Sequence, residues 1–285
     1  MKSSDIGTVD ISEHHKPMYG SELSFSKLAT PVQKAILEVE HDMVLFGTKA
    51  VNAEDLVKYP TSEEIHSSTS YFTSLFSNLA SLQHLKVDRN LAACFSNCKN
   101  LKRLVLSYVR GIEILQGSCT GPPNLVDLVI RNCPGLKLPH IPQLISSWAP
   151  HLTHFTLKLY EYEDPSLRED ILDFDPRRNQ FYLLGLTHLT IQSHSKSHYI
   201  QCFSSCKNLV QLTFVLCTST TEEMPDGQAD ELSAVSDFIT TNEFHRLQKI
   251  VLIKTDQNPI DSVSASALFP LEEFCRSKGI KLSGF

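Results

Sequence analysis

The sequence predicts an α/β solenoid in which short strands form one parallel sheet and helical segments return the chain from one strand to the next. Three observations predict it. An apolar frame recurs along the chain, its last two apolar residues alternate with polar ones as in a strand, and segments with helical periodicity lie between some copies. The 285 residues, 41% hydrophobic and 20% charged, have the composition of a globular protein.

The recurring frame is Leu-x-x-Leu-x-Leu or a close variant, and it lies within residues 71–285. The seven copies are Leu82/Leu85/Val87, Leu101/Leu104/Leu106, Leu125/Leu128/Ile130, Leu152/Phe155/Leu157, Leu186/Leu189/Ile191, Leu209/Leu212/Phe214 and Leu247/Ile250/Leu252. Their spacing is irregular. A strand this short cannot bury its apolar face alone, whereas stacking the copies in parallel makes one continuous core. We therefore expect one strand for each copy.

Helical segments are predicted between the frames and at the end of the chain. Two apolar stripes fall on helix faces, one at Leu144, Ile145 and Trp148 and one at Leu232, Val235 and Ile239. The stretch at 270–282 predicts a last helix that Pro270 opens and Gly279 closes, followed by a strand at Ile280–Leu282. This helix and strand would cap the open end of the solenoid.

Cysteines make the frame more specific. Cys206, Leu209, Leu212, Phe214 and Cys217 match the pattern Cys-x-x-Leu-x-x-Leu-x-Leu-x-x-Cys, and the copy that starts at Cys98 matches it up to Val109. The chain thus resembles the F-box/leucine-rich-repeat proteins with cysteine-containing repeats. The resemblance implies a horseshoe of about seven irregular repeats over residues 71–285, with a concave parallel sheet and convex helices. It also implies a substrate-recognition subunit of an SCF-type ubiquitin ligase, which binds a Skp1-type adaptor.

The first seventy residues depart from that family. An F-box would precede the repeats, but the best candidate, LATPVQKAIL at 28–37, lacks the expected glutamate and has Pro31 in the wrong place. Local signals favour an amphipathic helix instead, because Thr30, Pro31 and Gln33 form a helix start. We expect residues 1–20 to be disordered and residues 21–70 to form a helical N-terminal cap. A free-standing scaffold or inhibitor with no ubiquitin-ligase link is therefore the alternative function.

Charge and cysteine usage indicate the kind of partner and the cellular compartment of the protein. The net charge of −6 argues against nucleic acid, and the excess is uneven, with a basic zone at 71–160 between two acidic zones. This asymmetry would steer a charged partner, although it also follows from acidic loops at 161–175 and 222–231. No apolar run reaches the length of a membrane span, and no signal peptide is expected. The prediction is a cytoplasmic or nuclear protein with reduced thiols.

A zinc site and an active site are the other functions that the sequence raises. His194, His198, Cys202 and Cys206 follow at spacings of four residues, which a zinc site on a helix would use. Core packing explains both cysteines better, because an earlier copy has leucine at the same positions. No nucleophile elbow, P-loop or dinucleotide-binding motif occurs. We expect neither a cofactor nor enzymatic activity.

The predicted partner-binding surface is the concave face of the sheet. Residues between the inward leucines point outward there and form one row for each position. The site residues are Lys86, Arg103, Arg131, His154, Lys158, His188, Thr213, Val215, Val251 and Ile253. Basic side chains on the early strands would steer the partner to this face during association. The β-branched side chains on the late strands would form an apolar contact with it. Strand propensity alone also accounts for the β-branched residues.

Two histidines fall at the same position on adjacent strands of this face. The predicted register places His154 and His188 roughly 5 Å apart. Protonating both of them near pH 6 is therefore expected to be mutually unfavourable.

Overall fold

A computed structural model describes residues 8–12, 34–38, 83–88, 95–96, 98–109, 121–133, 139, 141–159, 175–192, 198–216, 227–254 and 262–284. The chain divides into two units. The first consists of Met1–Leu136 with Ser147–Ala149, and the second of Lys137–Ser146 with Pro150–Phe285. Both units contain parallel strands that pair in chain order, and helices lie between strands along the chain. The α/β class with a parallel sheet is confirmed.

The strands of the first unit pair in the order in which they occur. They are β1 (Thr8–Ser12), β2 (Lys34–Glu38), β3 (His84–Asp88), β4 (Arg103–Ser107) and β5 (Asp127–Arg131). Each is parallel to the next and matches it residue for residue. On β4 and β5 the frame residues Leu104, Leu106, Leu128 and Ile130 are buried, as the alternation of the frame predicts, whereas Arg103 and Arg131 are exposed. The outward residues Ser107 and Val129 are buried as well.

The second unit has the same arrangement. Its strands are β6 (His154–Lys158), β7 (His188–Gln192), β8 (Gln211–Leu216), β9 (Lys249–Lys254) and β10 (Lys281–Ser283). A 3₁₀ helix at His198–Phe203 precedes β8, and two α-helices, α2 (Gly227–Thr241) and α3 (Ser262–Lys278), flank β9 in the chain. Helix α1 (Ile141–Trp148) precedes β6. Helices α2 and α3 pack against each other, and the 3₁₀ helix packs against α2.

The seven predicted strands lie where the frame places them. Strands β3 to β9 each contain the last two apolar residues of one copy. Within each unit the first of these residues are in register, Leu104 with Leu128 and Leu189 with Leu212. All four side chains are at most 1% exposed. The sequence pattern therefore specifies the pairing register, because a one-residue slip would turn these leucines to the other face.

Strands β4, β5, β7, β8 and β9 each begin beside a carbonyl group at the start of the preceding strand, and this carbonyl accepts two hydrogen bonds. The Gln83 carbonyl accepts from the amides of Lys102 and Arg103, at 2.8 and 3.0 Å. The carbonyls of Lys102, Thr153, Thr187 and Val210 accept from two consecutive amides of the next strand in the same way. This bond pattern fixes the start of each of these strands relative to the one before it.

Asparagine side chains tie successive turns together. The Asn124 side chain donates to the Lys99 carbonyl at 2.7 Å, and Asn208 donates to the Leu184 carbonyl at 2.8 Å. Each asparagine directly precedes a leucine of the frame. These bonds satisfy carbonyls in turns, where no strand partner is present.

Aromatic rings fill the core behind the strands. In the second unit Phe181 stacks on Phe203, with ring centroids 4.1 Å apart, and both rings contact Phe155. In the first unit Phe95 meets Trp148 edge to face at 6.1 Å. Both predicted helix stripes are buried, as their periodicity requires. Each buried aromatic side chain removes a large apolar area from water, which stabilises the stack.

The N-terminal region differs from the prediction at two segments. Thr8–Ser12 forms a strand where we expect disorder, and Lys34–Glu38 forms a strand where we expect a helix. Ala35 and Leu37 are in register with Leu85 and Val87, so backbone pairing with β3 overrides the local helix signals. The helix-start residues Thr30, Pro31 and Gln33 lie outside the described residues.

The C-terminal helix is longer than predicted. Helix α3 begins at Ser262, so Pro270 lies inside it rather than at its start. Leu268 and Leu271, on either side of the proline, are both buried, and their packing outweighs the hydrogen bond that proline removes. The predicted end is correct. Gly279 has a φ of 68°, and the Ile280 amide donates to the Cys275 carbonyl at 2.9 Å, which closes the helix before β10.

We expect the repeat cysteines to behave as core residues. Cys98 and Cys206 are buried thiols outside any disulfide, and burial raises the pKa of the Cys206 thiol to about 12. Because the thiolate is the reactive form, both should react slowly with a thiol reagent in the native protein and fast in urea. Cys206→Ser should lower the free energy of unfolding by about 1–3 kcal/mol, measured by urea titration. Fast labelling of both native thiols would contradict the buried register.

Candidate protein-binding surface

One basic site residue of the first unit, Arg103, is paired with a carboxylate. Arg103 is exposed, and its Nε atom is 3.2 Å from a carboxylate oxygen of Asp127 on the next strand. Arg131 is also exposed, whereas Lys86 lies on β3 with its side chain outside the described part. An exposed ion pair adds little stability, but it partly neutralises the charge that Arg103 would offer to a partner.

The second unit carries a more uniform surface, which we call the polar strand face. It consists of alternate residues on the five strands: His154, Thr156, Lys158, His188, Thr190, Gln192, Gln211, Thr213, Val215, Lys249, Val251, Ile253, Lys281 and Ser283. The set contains three lysines and two histidines and no carboxylate. The inward residues between them form the core. The three lysines of this face thus have no carboxylate among them, and two of these lysines, Lys249 and Lys281, are absent from the predicted set of site residues.

The two histidines of this face stack on each other. His154 and His188 are register partners on β6 and β7, and their rings lie 4.3 Å apart between centroids and 7° from parallel. The prediction that the two histidine side chains are neighbours on adjacent strands is confirmed. His154 is exposed and His188 is half-buried, so water reaches the pair from one side.

Each of the two imidazole rings contacts a threonine hydroxyl through its Nδ1 atom. The Thr153 hydroxyl lies 2.9 Å from His154 Nδ1, and the Thr187 hydroxyl lies 3.0 Å from His188 Nδ1. The Thr187 hydroxyl also lies 2.9 Å from the Thr153 carbonyl, to which it must donate its only proton. The contact with His188 therefore requires Nδ1 to carry a proton. In neutral His188 this leaves Nε2 unprotonated.

The surroundings of His188 favour its neutral form. Partial burial lowers the pKa of His188 below its ordinary value of 6.5, and the neighbouring imidazole of His154 lowers it further. Burial disfavours the charged ring because water no longer solvates it fully, and a second cation at stacking distance would repel it. His188 is thus held in its neutral form to a lower pH than an ordinary histidine.

The predicted apolar half of the site is smaller than expected. Thr213 is 7% exposed and Val215 is 5% exposed, so a partner cannot reach either side chain in this structure. Val251 is half-buried and Ile253 is 43% exposed. Lys158, at the end of β6, is half-buried. The accessible apolar area on the polar strand face therefore lies on β9.

Several residues of the surface are missing from the sequence-based set of sites. Thr153 and Thr187 orient the histidines, and Lys249 and Lys281 extend the same row onto β9 and β10. A sequence signal for the first two exists, because Leu-Thr-His-x-Thr occurs at 152–156 and again at 186–190. Lys281 has no such signal, since its place in the row depends on the pairing of β10 with β9.

The zinc hypothesis gains no support from the cysteines. Cys202 and Cys206 are buried, and the Cys206 thiol donates to the Phe181 carbonyl at 3.5 Å. Among the described residues no group of three or more histidine, cysteine or acidic side chains is placed to hold a metal ion, while His194 lies outside them. In the same part of the chain, no helix has the length and apolarity needed to cross a membrane.

We expect His188 to make stability depend on pH. Its pKa is lowered in the folded state, so the unfolded chain binds this proton more tightly. The stabilising contribution is complete above pH 6.5 and is lost as the pH falls below 6.5 towards the folded-state pKa. His188→Asn keeps a donor for Thr187 and removes the titration, so urea midpoints at pH 7.5 and 5.5 should differ less than in the wild type.

The matched control for this prediction is His151→Asn. His151 is an exposed histidine in the turn before β6 and does not belong to the stacked pair. An equal reduction of pH dependence in both variants would contradict the role assigned to His188.

No protein-family model matches the chain. A search of curated proteins finds no significant match either.

Proposed function

We propose that the chain is a leucine-rich-repeat solenoid whose polar strand face binds another protein. The observation that carries the proposal is the row of outward side chains held in register along parallel strands, with a histidine pair at one end. The strands at the predicted frame positions and the buried repeat cysteines support the repeat architecture of about seven irregular units. A rigid face of this kind suits recognition, because its side chains lose little freedom on binding.

The arrangement of the face favours binding over catalysis. Its side chains are spaced by the strand separation of about 4.8 Å and lie along a sheet surface. The only two histidines in the set stack on each other, and the Nδ1 atoms are turned to threonine hydroxyls. A general base would need a reacting group within hydrogen-bond reach and a site that excludes water. The exposed side of His154 faces water instead.

Within this function we further propose substrate recognition in an SCF-type ubiquitin ligase. The cysteine-type frame supports it, and buried thiols such as Cys98 fit the reducing cytoplasm or nucleus where such ligases act. The alternative is a free-standing scaffold or inhibitor without a ligase. Strand β2 favours the alternative, because Lys34–Glu38 overlaps the F-box-like stretch and pairs with β3 as part of the ladder.

An adaptor-binding experiment separates the two proposals. Purified full-length protein is mixed with a purified Skp1-type adaptor and run on a sizing column, with an established F-box protein as the positive control. Co-elution supports the ligase subunit. Separate elution, when the control co-elutes, removes the ligase link and leaves the scaffold or inhibitor.

We expect charge reversal and apolar loss to affect binding differently. Once crosslinking has identified a bound protein, Lys249→Glu combined with Lys281→Glu should slow its association several-fold, because exposed charges act mainly on encounter. Val251→Asp should speed its dissociation about tenfold or more, because it places a carboxylate in the contact. Surface plasmon resonance measures both rates. Wild-type rates in both variants, each with wild-type stability, would place the contact elsewhere.

A further inference from the structure

We propose that the polar strand face recognises an acidic, extended segment of its protein partner, and that the histidine pair strengthens this binding as the pH falls. The inference rests on the proposed protein-binding function and names the chemistry of the partner. It follows from the charge of the face, the spacing of its cations and the protonation state of His188.

The charge of the face is opposite to that of the chain. The whole protein has a net charge of −6, whereas the polar strand face carries Lys158, Lys249 and Lys281 and no carboxylate. Protonation of His154 and His188 would add two further positive charges. A concentration of one sign of charge on a surface attracts ligands of the opposite charge.

The cations are aligned across the strands. His154, His188, Gln211, Lys249 and Lys281 are successive register partners on β6 to β10. With a strand spacing of about 4.8 Å, the row is about 19 Å long. An extended chain covers that length with about six residues. Lysines at one end and histidines at the other would therefore contact carboxylates spaced along a short peptide.

His188 can donate a hydrogen bond to a carboxylate only after it gains a proton. In neutral His188 the proton is on Nδ1, which faces Thr187, and the bare Nε2 atom has nothing to donate. Protonation places a donor at Nε2 and a positive charge on the ring. A carboxylate at this position stabilises the charged form, so binding and proton uptake promote each other.

The charged groups around the histidine pair affect how readily the pair is protonated when a carboxylate binds. Lys158 lies on the same strand as His154, and Lys249 lies two strands beyond His188, with the neutral Gln211 between them. His151 occupies the turn before β6, and β7 has no other titratable residue. The described groups on this face are all basic or neutral, so the carboxylates of a partner would provide the missing negative charge.

The remaining side chains favour a peptide over a nucleic acid. The polar strand face has no phenylalanine, tyrosine or tryptophan on which bases could stack. It offers instead the hydroxyls of Thr156 and Thr190 and the apolar side chains of Val251 and Ile253, next to the basic row. An acidic peptide with occasional apolar residues would use all of these groups.

The experiment measures binding of a fluorescent peptide of about eight glutamates to the full-length protein by anisotropy, at low salt and at pH 7.5 and 5.5. Glutamates, with an ordinary pKa of about 4.3, stay largely ionised at both values. We expect binding at least about threefold tighter at pH 5.5. The double variant His154→Asn/His188→Asn should lose the gain at pH 5.5, so that its affinity for the peptide is nearly the same at the two pH values. Lys249→Gln/Lys281→Gln should weaken binding about tenfold at both values.

Three controls make the result specific. Lys99→Gln removes an exposed lysine from a turn outside the polar strand face and should bind as the wild type does. An all-glutamine peptide should not bind. Thymidine oligonucleotide of the same charge should bind more weakly than the glutamate peptide, and tighter binding of the oligonucleotide would overturn the inference in favour of nucleic acid.

The outcomes also separate this inference from the proposed function. Suppose that the partner identified by crosslinking no longer binds the Val251→Asp variant, and that the glutamate peptide does not bind the wild-type protein. The face then binds a protein, and the inference that its partner is acidic is wrong. If the peptide binds equally at both pH values, the histidine linkage is wrong. If Val251→Asp and the lysine variant both leave the crosslinked partner bound as in the wild type, the proposed use of this face fails as well.

Discussion

The carbonyl that accepts two hydrogen bonds at the start of β4, β5, β7, β8 and β9 is the interaction on which the rest of the structure depends. The carbonyls of Gln83, Lys102, Thr153, Thr187 and Val210 each align the next strand through two consecutive amides. Because these strands are aligned by their neighbours, inward apolar residues stack on one another and outward residues form straight rows. Core packing and surface chemistry are thus two consequences of one backbone geometry. Apolar burial supplies most of the stabilisation, but the hydrogen bonds determine which side chains meet.

The same geometry explains why histidines that are distant in the sequence form one unit. Thr153 and His154 recur one repeat later as Thr187 and His188, and the carbonyl of the first threonine receives the hydroxyl of the second. That hydroxyl then determines which ring nitrogen of His188 carries the proton. A hydrogen bond within the sheet is therefore linked to the protonation chemistry of the surface, so the strands act as rigid supports for the ring pair.

The fold was more predictable from the sequence than the site. Strand periodicity at Leu104 and Leu106, and at the six other copies, depends only on local alternation and on the need to stack. The strand at Lys34–Glu38 was not predictable in this way, because local helix signals at Thr30 and Pro31 compete with pairing to a partner about fifty residues away. Among the site residues, the register of His154 and His188 follows from the frame. The burial of Thr213 and Val215 depends on tertiary packing, and alternation alone gives no information about it.

The closing turn of α3 has a consequence for how variants of this protein would be interpreted. Gly279 adopts a left-handed conformation, which a residue with a side chain adopts at a cost of about 1 kcal/mol, and the turn leads directly into β10. Lys281 lies in the row of basic residues because the turn leads into β10, which pairs in register with β9. A substitution of Gly279 would thus weaken the alignment of Lys281 in the row without changing any charged residue. In a genetic screen for partner binding it would score as a contact residue although it touches no partner.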